Sequence, residues 1–168
     1  MGDTTTTMAF ENPENDYLAI EVHRPGIGSL LRQIEINKLS NIRVIDHDVV
    51  DVLQFQLPDN CLDSVYIFFP DPWPKKKHRK RRLINHNFLE NLKIKLKRNA
   101  RMFLATDWQD YAEHILETFE TSPGIINLAG KAHFSPRPVW RPVTRFEKRG
   151  YKLDHGVWDF IFAYSRQD

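Results

Sequence analysis

The segment LDSVYIFFPDPWPKKKHRKRR, residues 62–82, joins an apolar run to a block of positive charge. The run is nearly continuous, as in strands of a parallel sheet that is covered on both faces. Asp71 then stands between two prolines, Trp73 follows, and residues 75–82 hold seven Lys/Arg and one His. A carboxylate and an aromatic ring at a strand end, beside the strongest positive charge of the chain, indicate a functional site.

Outward from this segment, apolar runs suited to strands alternate with apolar residues at helical spacing. This alternation predicts an α/β fold with a mostly parallel sheet. The last strand alternates apolar and polar residues, which favours an edge position. The predicted strands are 17–22, 41–48, 62–69, 100–107 and 156–165, and the predicted helices are 27–39, 49–55, 85–97 and 108–120.

Length and composition predict one domain over residues 1–168. Cys61 is the only cysteine, so no disulfide framework is expected, and a reducing, cytoplasmic setting follows. No apolar stretch approaches the roughly 20 residues that span a bilayer, and no signal peptide is visible. Net charge is +2, yet outside residues 75–82 the remaining 17 Lys/Arg face 22 Asp/Glu, a balance of −5. The single basic segment predicts a polyanionic partner at one place.

Carboxylates follow four successive predicted strands. Parallel α/β sheets bind ligands beyond the carboxyl ends of their strands, so these side chains predict a site at one rim of the sheet. Aspartate is also common in turns and at helix N-caps, which would explain any one of them alone. The carboxylates are Glu21, Asp46 with Asp48, Asp71, and Asp107.

The first two strand ends carry candidate cofactor contacts. In nucleotide-binding α/β folds, an acid about 20 residues after the glycine-rich turn accepts hydrogen bonds from ribose hydroxyls, and Glu21 stands at that distance from Gly2. Asp48 could accept from an adenine amino group. A surface glutamate before a turn, and a cap for the helix 49–55, remain the alternatives.

Asp71 and Trp73 suit a guanine. The flanking prolines stiffen the backbone, and a carboxylate pairs with the N1–H and N2–H₂ donors of guanine while an aromatic ring covers a flat base. Guanine N7 carries a lone pair and no proton, so its attack on an activated methyl needs alignment and nearby negative charge but no general base. The alternative is a proline-rich strand exit with a buried Trp.

Residues 75–82 could hold several phosphates of a nucleic acid. A solvated charge run and a nuclear localisation signal are alternatives, although localisation signals usually lie on flexible tails. The stretch 144–147 offers a hydroxyl, a cation and a carboxylate, which a helix capping box would explain equally well. The histidines show no spacing typical of a metal site, so no metal is expected.

Several motifs together resemble the bacterial tRNA (guanine-N7-)-methyltransferases, the TrmB family. These motifs are EVHRPG, FFPDPWPKKKHRKRR, ATDWQDYAEHILE and TRFEKRG followed by HGVWDFIF, and the resemblance runs along the whole chain. It implies a Rossmann-like class I methyltransferase fold, with S-adenosylmethionine as methyl donor. The reaction it implies is methylation of N7 of a guanine in the tRNA variable loop.

The resemblance also implies roles for individual residues. Glu21, Asp48 and Asp71 are cofactor contacts, and Asp71 is the catalytic-site acid. Lys75, Asp107 and the stretch Thr144, Arg145, Phe146 and Glu147 contact the target nucleotide, while Lys77, His78, Arg79, Lys80, Arg81 and Arg82 contact RNA.

The chain departs from the family at its start, where a strand and most of a glycine-rich turn precede the position of MGD. We therefore expect an N-terminally truncated domain in which strands 17–22 and 64–69 each have an unpaired inner edge. A non-catalytic RNA-binding fragment is the alternative function, and a methyltransferase acting on another base or on DNA is a third. We expect a monomer or a homodimer.

Overall fold

The computed structural model describes residues 3–144, 147 and 156–165. The chain divides into two compact units, which we describe separately. The first comprises Met1–Gln56 with Val139–Arg145, and the second Leu57–Pro138 with Phe146–Asp168. That the whole chain forms one domain stays a prediction.

The first unit contains a two-stranded parallel sheet with three helices. Tyr17 lies opposite Ile42, and Glu21 opposite Asp46. The Asn41 side-chain amide donates to the carbonyls of Ala9 (3.0 Å) and Asn15 (2.9 Å), which fixes the loop before the first strand. The elements are α1 (Asp3–Glu11), β1 (Tyr17–Glu21), α2 (Arg24–Ile36), β2 (Ile42–Asp46) and α3 (Val49–Phe55).

Helix α1 was not predicted from the sequence. Its four threonines are poor helix formers, so local propensity gave no helix signal. Met8 and Ala9 are buried, and the helix packs on α2 and β1. Packing therefore outweighs propensity here.

Helix α2 begins earlier than predicted. The sequence suggested a Pro-Gly turn with the helix starting at Ile27, but the helix starts at Arg24. The Nδ1 atom of His23 accepts from the Gly26 amide (3.2 Å), and Pro25 lies in the first turn. Proline loses no helical hydrogen bond there, so the residues that suggested a turn instead open the helix.

The second unit contains a four-stranded sheet in the order β3-β4-β6-β5. Strands β3 and β4 are parallel, whereas β6 is antiparallel to both β4 and β5. Buried aromatic and aliphatic side chains form its core, with Phe119 and Phe162 stacked at 4.3 Å. The elements are β3 (Leu62–Phe68), a 3₁₀ helix (Lys76–Arg81), α4 (His86–Lys95), β4 (Leu96–Thr106), α5 (Gln109–Glu120), β5 (Ile125–Asn127) and β6 (Trp158–Tyr164).

The expectation that the last strand lies at the sheet edge was wrong. Strand β6 pairs with β4 along one side and with the three-residue strand β5 along the other. Phe160 and Phe162 are both buried, so β6 is an inner strand. Residues 125–127 are too few to give a strand pattern, and the sequence therefore did not reveal the true edge.

The inner edges of β1 and β3 agree with the sequence analysis. Among the described strands, β1 pairs only with β2, and β3 pairs only with β4. Strands β1 and β3 therefore each have an unpaired edge among the described strands, as expected for strands 17–22 and 64–69. Within the described part of the chain, no helix is long and apolar enough to cross a membrane.

Candidate active site and nucleic-acid interface

The exit from β3 is a stiff, strained loop. The Phe69 amide still donates to the Ala105 carbonyl (2.8 Å), and Pro70, Asp71 and Pro72 follow. Phe69 and Trp73 have φ of +53° and +42°, a left-handed conformation that costs a non-glycine residue about 1–2 kcal/mol. Such strain concentrates at functional sites. The Asp71 side chain is exposed on this fixed backbone.

Arg82 holds this loop in place. Its side chain is only 3% exposed, and its Nε–H donates to the Pro72 carbonyl (2.9 Å). Its guanidinium forms an ion pair with Asp110 and lies 4.8 Å from the centre of the Tyr111 ring. Arg82 therefore joins the strand exit to the first turn of α5.

Asp110 is shared by two arginines. Its Oδ2 accepts from Arg82, and its Oδ1 lies 2.7 Å from an Nη atom of Arg79. The hydrogen bond from Arg82 is the main reason that the pKa of Asp110 lies below its ordinary value of 3.8, and both arginine charges add to the effect. Asp110 is therefore a carboxylate at neutral pH.

Tyr111 holds the chain at Ile84, two residues after Arg82. It is fully buried, and its hydroxyl oxygen accepts from the Ile84 amide (3.1 Å). Burial raises the pKa of Tyr111, so the hydroxyl stays protonated. The His114 ring lies 2.8 Å, through Nε2, from the Ile84 carbonyl. Arg82 and Ile84 are thus attached directly to α5, and Pro72 is attached to it through Arg82.

Trp73 packs on the basic segment, residues 75–82. His78 meets its ring edge-on at 5.8 Å, and the Arg81 guanidinium carbon lies 5.1 Å from the ring centre. Trp73 is half-buried, not the fully buried Trp of the alternative interpretation. The strand exit and the basic segment thus form one local structure.

The cations of the basic segment fall into two groups. Arg79, Arg81 and Arg82 have the intramolecular partners given above. Four lysines are exposed and show no ion pair within the described part of the chain: Lys75, Lys76, Lys77 and Lys80. These four form the surface best able to meet phosphates.

A cleft of about 470 Å³ opens beside the end of β4. Asp107, Asp110 and Glu113 line it, together with the indoles of Trp108 and Trp158. A Cβ on Gly156 would come within 3.2 Å of the Trp158 ring, so glycine permits this close approach. The cleft combines carboxylates with two indoles, which suits a flat base. Sequence reasoning assigned no role to either tryptophan, although each lies within a motif that carried the resemblance.

The other three predicted carboxylates, Glu21, Asp46 and Asp48, lie in the first unit. Glu21 and Asp46 end adjacent strands in register. One Glu21 oxygen accepts from the amides of Val22 and His23, each at 2.9 Å, which holds the carboxylate at the strand end. The second oxygen has no hydrogen bond within the described part of the chain. A fixed carboxylate of this kind fits a ribose diol.

Asp48 caps α3, as the alternative interpretation held. Its Oδ1 accepts from the Val50 amide (2.8 Å). The side chain is exposed, and its other oxygen makes no hydrogen bond to a described residue. The cap therefore does not prevent a contact with an adenine amino group.

The structure brings the strand-end acids together in pairs. Glu21 and Asp46 share one edge in the first unit, while Asp71 and Asp107 follow neighbouring parallel strands in the second. A single rim with all four stays a prediction. Among the described side chains, no three His, Cys, Asp or Glu residues are grouped as metal ligands.

The stretch 144–147 is only partly described. Thr144 is half-buried and Glu147 is fully buried, and both make contacts within the molecule. Arg145 and Phe146 lie outside the described residues. The roles assigned to this stretch stay predictions.

The fold is that of the class I S-adenosylmethionine-dependent methyltransferases. An S-adenosylmethionine-dependent O-methyltransferase from Thermotoga maritima is similar over 91% of this chain and 51% of its own, with a TM-score of 0.55 at 15% identity. The tRNA (m1A58) methyltransferase TrmI from Aquifex aeolicus is similar over 99% of this chain and 69% of its own, with a TM-score of 0.55 at 12% identity.

Sequence similarity narrows the class to a family. A family model described as "Putative methyltransferase" matches residues 1–160. The tRNA (guanine-N(7)-)-methyltransferase of Nitrosospira multiformis is 56% identical over 96% of this chain and 70% of its own length. That of Alcanivorax borkumensis is 49% identical over 96% and 68%. The chain belongs to the tRNA (guanine-N(7)-)-methyltransferase family.

Proposed function

We propose that this protein transfers a methyl group from S-adenosylmethionine to N7 of a guanine in tRNA. The observation that carries the proposal is the rigid loop 70–73, which presents the Asp71 carboxylate beside Trp73 and the basic segment. Family membership gives the substrate class. The variable loop as the site of modification follows from the resemblance alone.

The chemistry needs few groups from the protein. S-adenosylmethionine, when bound, supplies a methyl group on a positively charged sulfur. The N7 lone pair forms the new N–C bond while the C–S bond breaks, so the positive charge moves from sulfur to the base and no proton is transferred. Asp71 pairs with the N1–H and N2–H₂ donors of the guanine and supplies negative charge to the cation that forms. Trp73 covers the base and excludes water.

Two carboxylates hold the cofactor in this proposal. Glu21 accepts from the ribose hydroxyls with the oxygen that is not bound to its own loop, and Asp48 accepts from the adenine amino group. The resemblance assigns Asp71 a cofactor contact as well. Both Glu21 and Asp48 are fixed by backbone amides, which lowers the entropy lost on binding.

The tRNA is held by charge and by the cleft. We assign phosphate contacts to Lys76, Lys77 and Lys80, with His78, Arg79 and Arg81 beside them. Lys75 and Asp107 contact the target nucleotide, together with the stretch 144–147. A tRNA substrate favours a cytoplasmic location. That the protein is a monomer or a homodimer stays a prediction.

Replacement of Asp71 tests the catalytic assignment. We expect Asp71→Ala to lower methyl transfer by at least about 10²-fold, since it removes the charge that the transition state needs, while tRNA binding changes less than about threefold. Transfer of labelled methyl to tRNA and a filter-binding titration measure the two effects. Asp16→Asn, an exposed acid ahead of β1, serves as the control. Equal loss of transfer and binding in Asp71→Ala would remove the assigned role.

RNA binding without catalysis is the second candidate, and the four exposed lysines alone would be enough for it. Calorimetry with S-adenosylmethionine separates the two. Measurable cofactor binding supports the enzyme. Salt-sensitive tRNA binding in the absence of cofactor binding would support the non-catalytic alternative.

A further inference from the structure

We propose that Arg82, held by Asp110, is a positioning residue that fixes the conformation of loop 70–73. In this proposal Arg82 does not contact phosphate. The proposal deepens the proposed function, on which it rests for the identity of Asp71. It gives Arg82, the last cation of the basic segment, a different role from the cations that are assigned to phosphates. It also gives a role to Asp110, an acid that the sequence analysis did not single out.

The contacts of Arg82 leave no surface for RNA. The side chain is 3% exposed, its Nε–H is bound to the Pro72 carbonyl, and an Nη–H is bound to Asp110. One face of the guanidinium is covered by Tyr111. A phosphate could reach Arg82 only if these contacts were first broken, which would leave the Asp110 charge uncompensated in part.

The hydrogen bond from Arg82 to the Pro72 carbonyl is the contact through which Arg82 acts on the position of Asp71. Pro72 lies between Asp71 and Trp73, and its carbonyl belongs to the peptide that links Pro72 to Trp73. The ring of Pro72 already fixes φ at that residue. Trp73 has an unfavourable positive φ, which the chain keeps only while surrounding contacts hold it. The hydrogen bond from Arg82 is one such contact, because it holds the peptide that precedes Trp73.

Asp110 has opposite effects on binding and on chemistry in this proposal. Its carboxylate compensates Arg79 as well as Arg82, so it competes with phosphates for Arg79. Loss of the negative charge should leave tRNA affinity equal or slightly tighter. The same change releases Arg82 and displaces Asp71, and a displacement of about 1 Å can cost about 10²-fold in rate.

The experiment compares Asp110→Asn and Asp110→Glu with the wild-type chain. We expect Asp110→Asn to lower kcat by about 10- to 10²-fold with KM for tRNA unchanged or lower, and Asp110→Glu to recover much of the loss. Glu117→Gln is the matched control, because it removes the same charge from an exposed position of the same helix. An unchanged kcat in Asp110→Asn would overturn the proposal. A raised KM with unchanged kcat would instead make Asp110 a direct contact in the cleft.

A spectroscopic readout keeps the test independent of activity. The chain has four tryptophans, and 5-fluorotryptophan labelling gives four ¹⁹F signals, of which Trp73→Phe identifies one. We expect the Trp73 signal to shift or broaden in Asp110→Asn and to return in Asp110→Glu, with Glu117→Gln unaffected. An unmoved Trp73 signal in Asp110→Asn would contradict the proposal. Retained signals from the other tryptophans show that the variant is folded.

Salt dependence tests Arg82 directly. We expect Lys77→Gln to lower the slope of log K against log salt by about 0.7–0.9, the value for one phosphate that is no longer neutralised, and Arg82→Gln to leave it unchanged. An equal decrease in both variants would make Arg82 a phosphate contact. If the wild-type chain transfers no methyl group, the proposed function fails, whereas the fluorine signals and salt slopes still decide the inference.

Discussion

At the scale of single residues, function depends on how each carboxylate is held. Glu21 is fixed by two amides of its own loop, Asp48 by a helix terminus, and Asp110 by two arginines. Asp71 is aimed by the backbone instead, between two prolines. The proposed function gives these similar carboxyl groups different roles, in binding, catalysis and positioning, because their surroundings differ.

Replacement of Glu21 should weaken cofactor binding selectively. Glu21→Gln keeps an oxygen for the Val22 and His23 amides but loses the charge that strengthens hydrogen bonds to the ribose hydroxyls. Such charged hydrogen bonds contribute about 1.5–3 kcal/mol, so we expect S-adenosylmethionine affinity to fall about 10- to 10²-fold. Calorimetry measures the affinity, and Glu35→Gln, an exposed acid on α2, is the control. Unchanged affinity in Glu21→Gln would exclude the ribose contact.

The ion pair of Asp110 should make stability depend on acid pH. Its pKa is lowered in the folded chain, chiefly by the hydrogen bond from Arg82, so its contribution is present at neutral pH. That contribution is lost as the pH falls below the ordinary value of 3.8 and through the lower folded value. We expect Asp110→Asn to have a lower urea midpoint than the wild type near pH 7, and the difference to decrease as the pH falls below 3.8. A difference that grew with acidity would have the wrong sign.

At the scale of elements, the 3₁₀ helix Lys76–Arg81 divides the basic segment between solvent and protein. Its lysines are exposed, whereas its arginines contact Asp110 and Trp73. A fully helical or extended segment would distribute these side chains differently. The short helix is held because Arg82 binds the Pro72 carbonyl before it, while Arg82 and Ile84 after it are attached to α5.

The exposed lysines should dominate the salt dependence of tRNA binding. The triple variant Lys76→Gln, Lys77→Gln and Lys80→Gln should lower the slope of log K against log salt by about 2–3, at about 0.7–0.9 for each phosphate that the variant leaves without a cation. Reversal of charge at Arg79, Lys80 and Arg81 should also weaken binding and flatten its salt dependence. A control that removes the charges of Arg32, Lys97 and Lys131 should bind tRNA normally. Equal slopes in the two triple variants would mean that binding reflects only net charge.

At the scale of the whole molecule, the backbone amides of β4 should be among those best protected from exchange with solvent in the part of the chain that the structure describes. Residues 102–106 are all buried, and the strand is hydrogen-bonded to β3 on one side and to β6 on the other. The sheet of the first unit has only two strands, with one ladder between them. Local stability should therefore be unequal along the chain.

Hydrogen exchange measures this difference. We expect the slowest amide exchange in β4 and β6 and faster exchange in β1 and β2, because a two-stranded sheet has no strand paired on both sides. Mass spectrometry of peptides after deuteration resolves these elements. The exposed helix face of α5 provides an internal reference for intermediate protection. Equal protection in β1 and β4 would show that the two units open together.

The sequence by itself determined the alternation of strands and helices, the carboxylates at strand ends and the concentration of positive charge. These features are local, because apolar periodicity and turn residues act over a few positions. Helix α3 and strand β2 lie where the pattern placed them, Glu21 ends a strand, and Asp71 and Asp107 each follow one.

Only the tertiary structure decided which charges face solvent and which are used inside the protein. Arg82 differs from Lys80 through Asp110, which is 28 residues away along the chain, and no local pattern signals that pairing. The inner position of β6 likewise depends on β5, a strand of three residues that pairs with it across more than 30 positions. Burial and pairing arise between segments distant in sequence, so they are fixed only when the chain has folded.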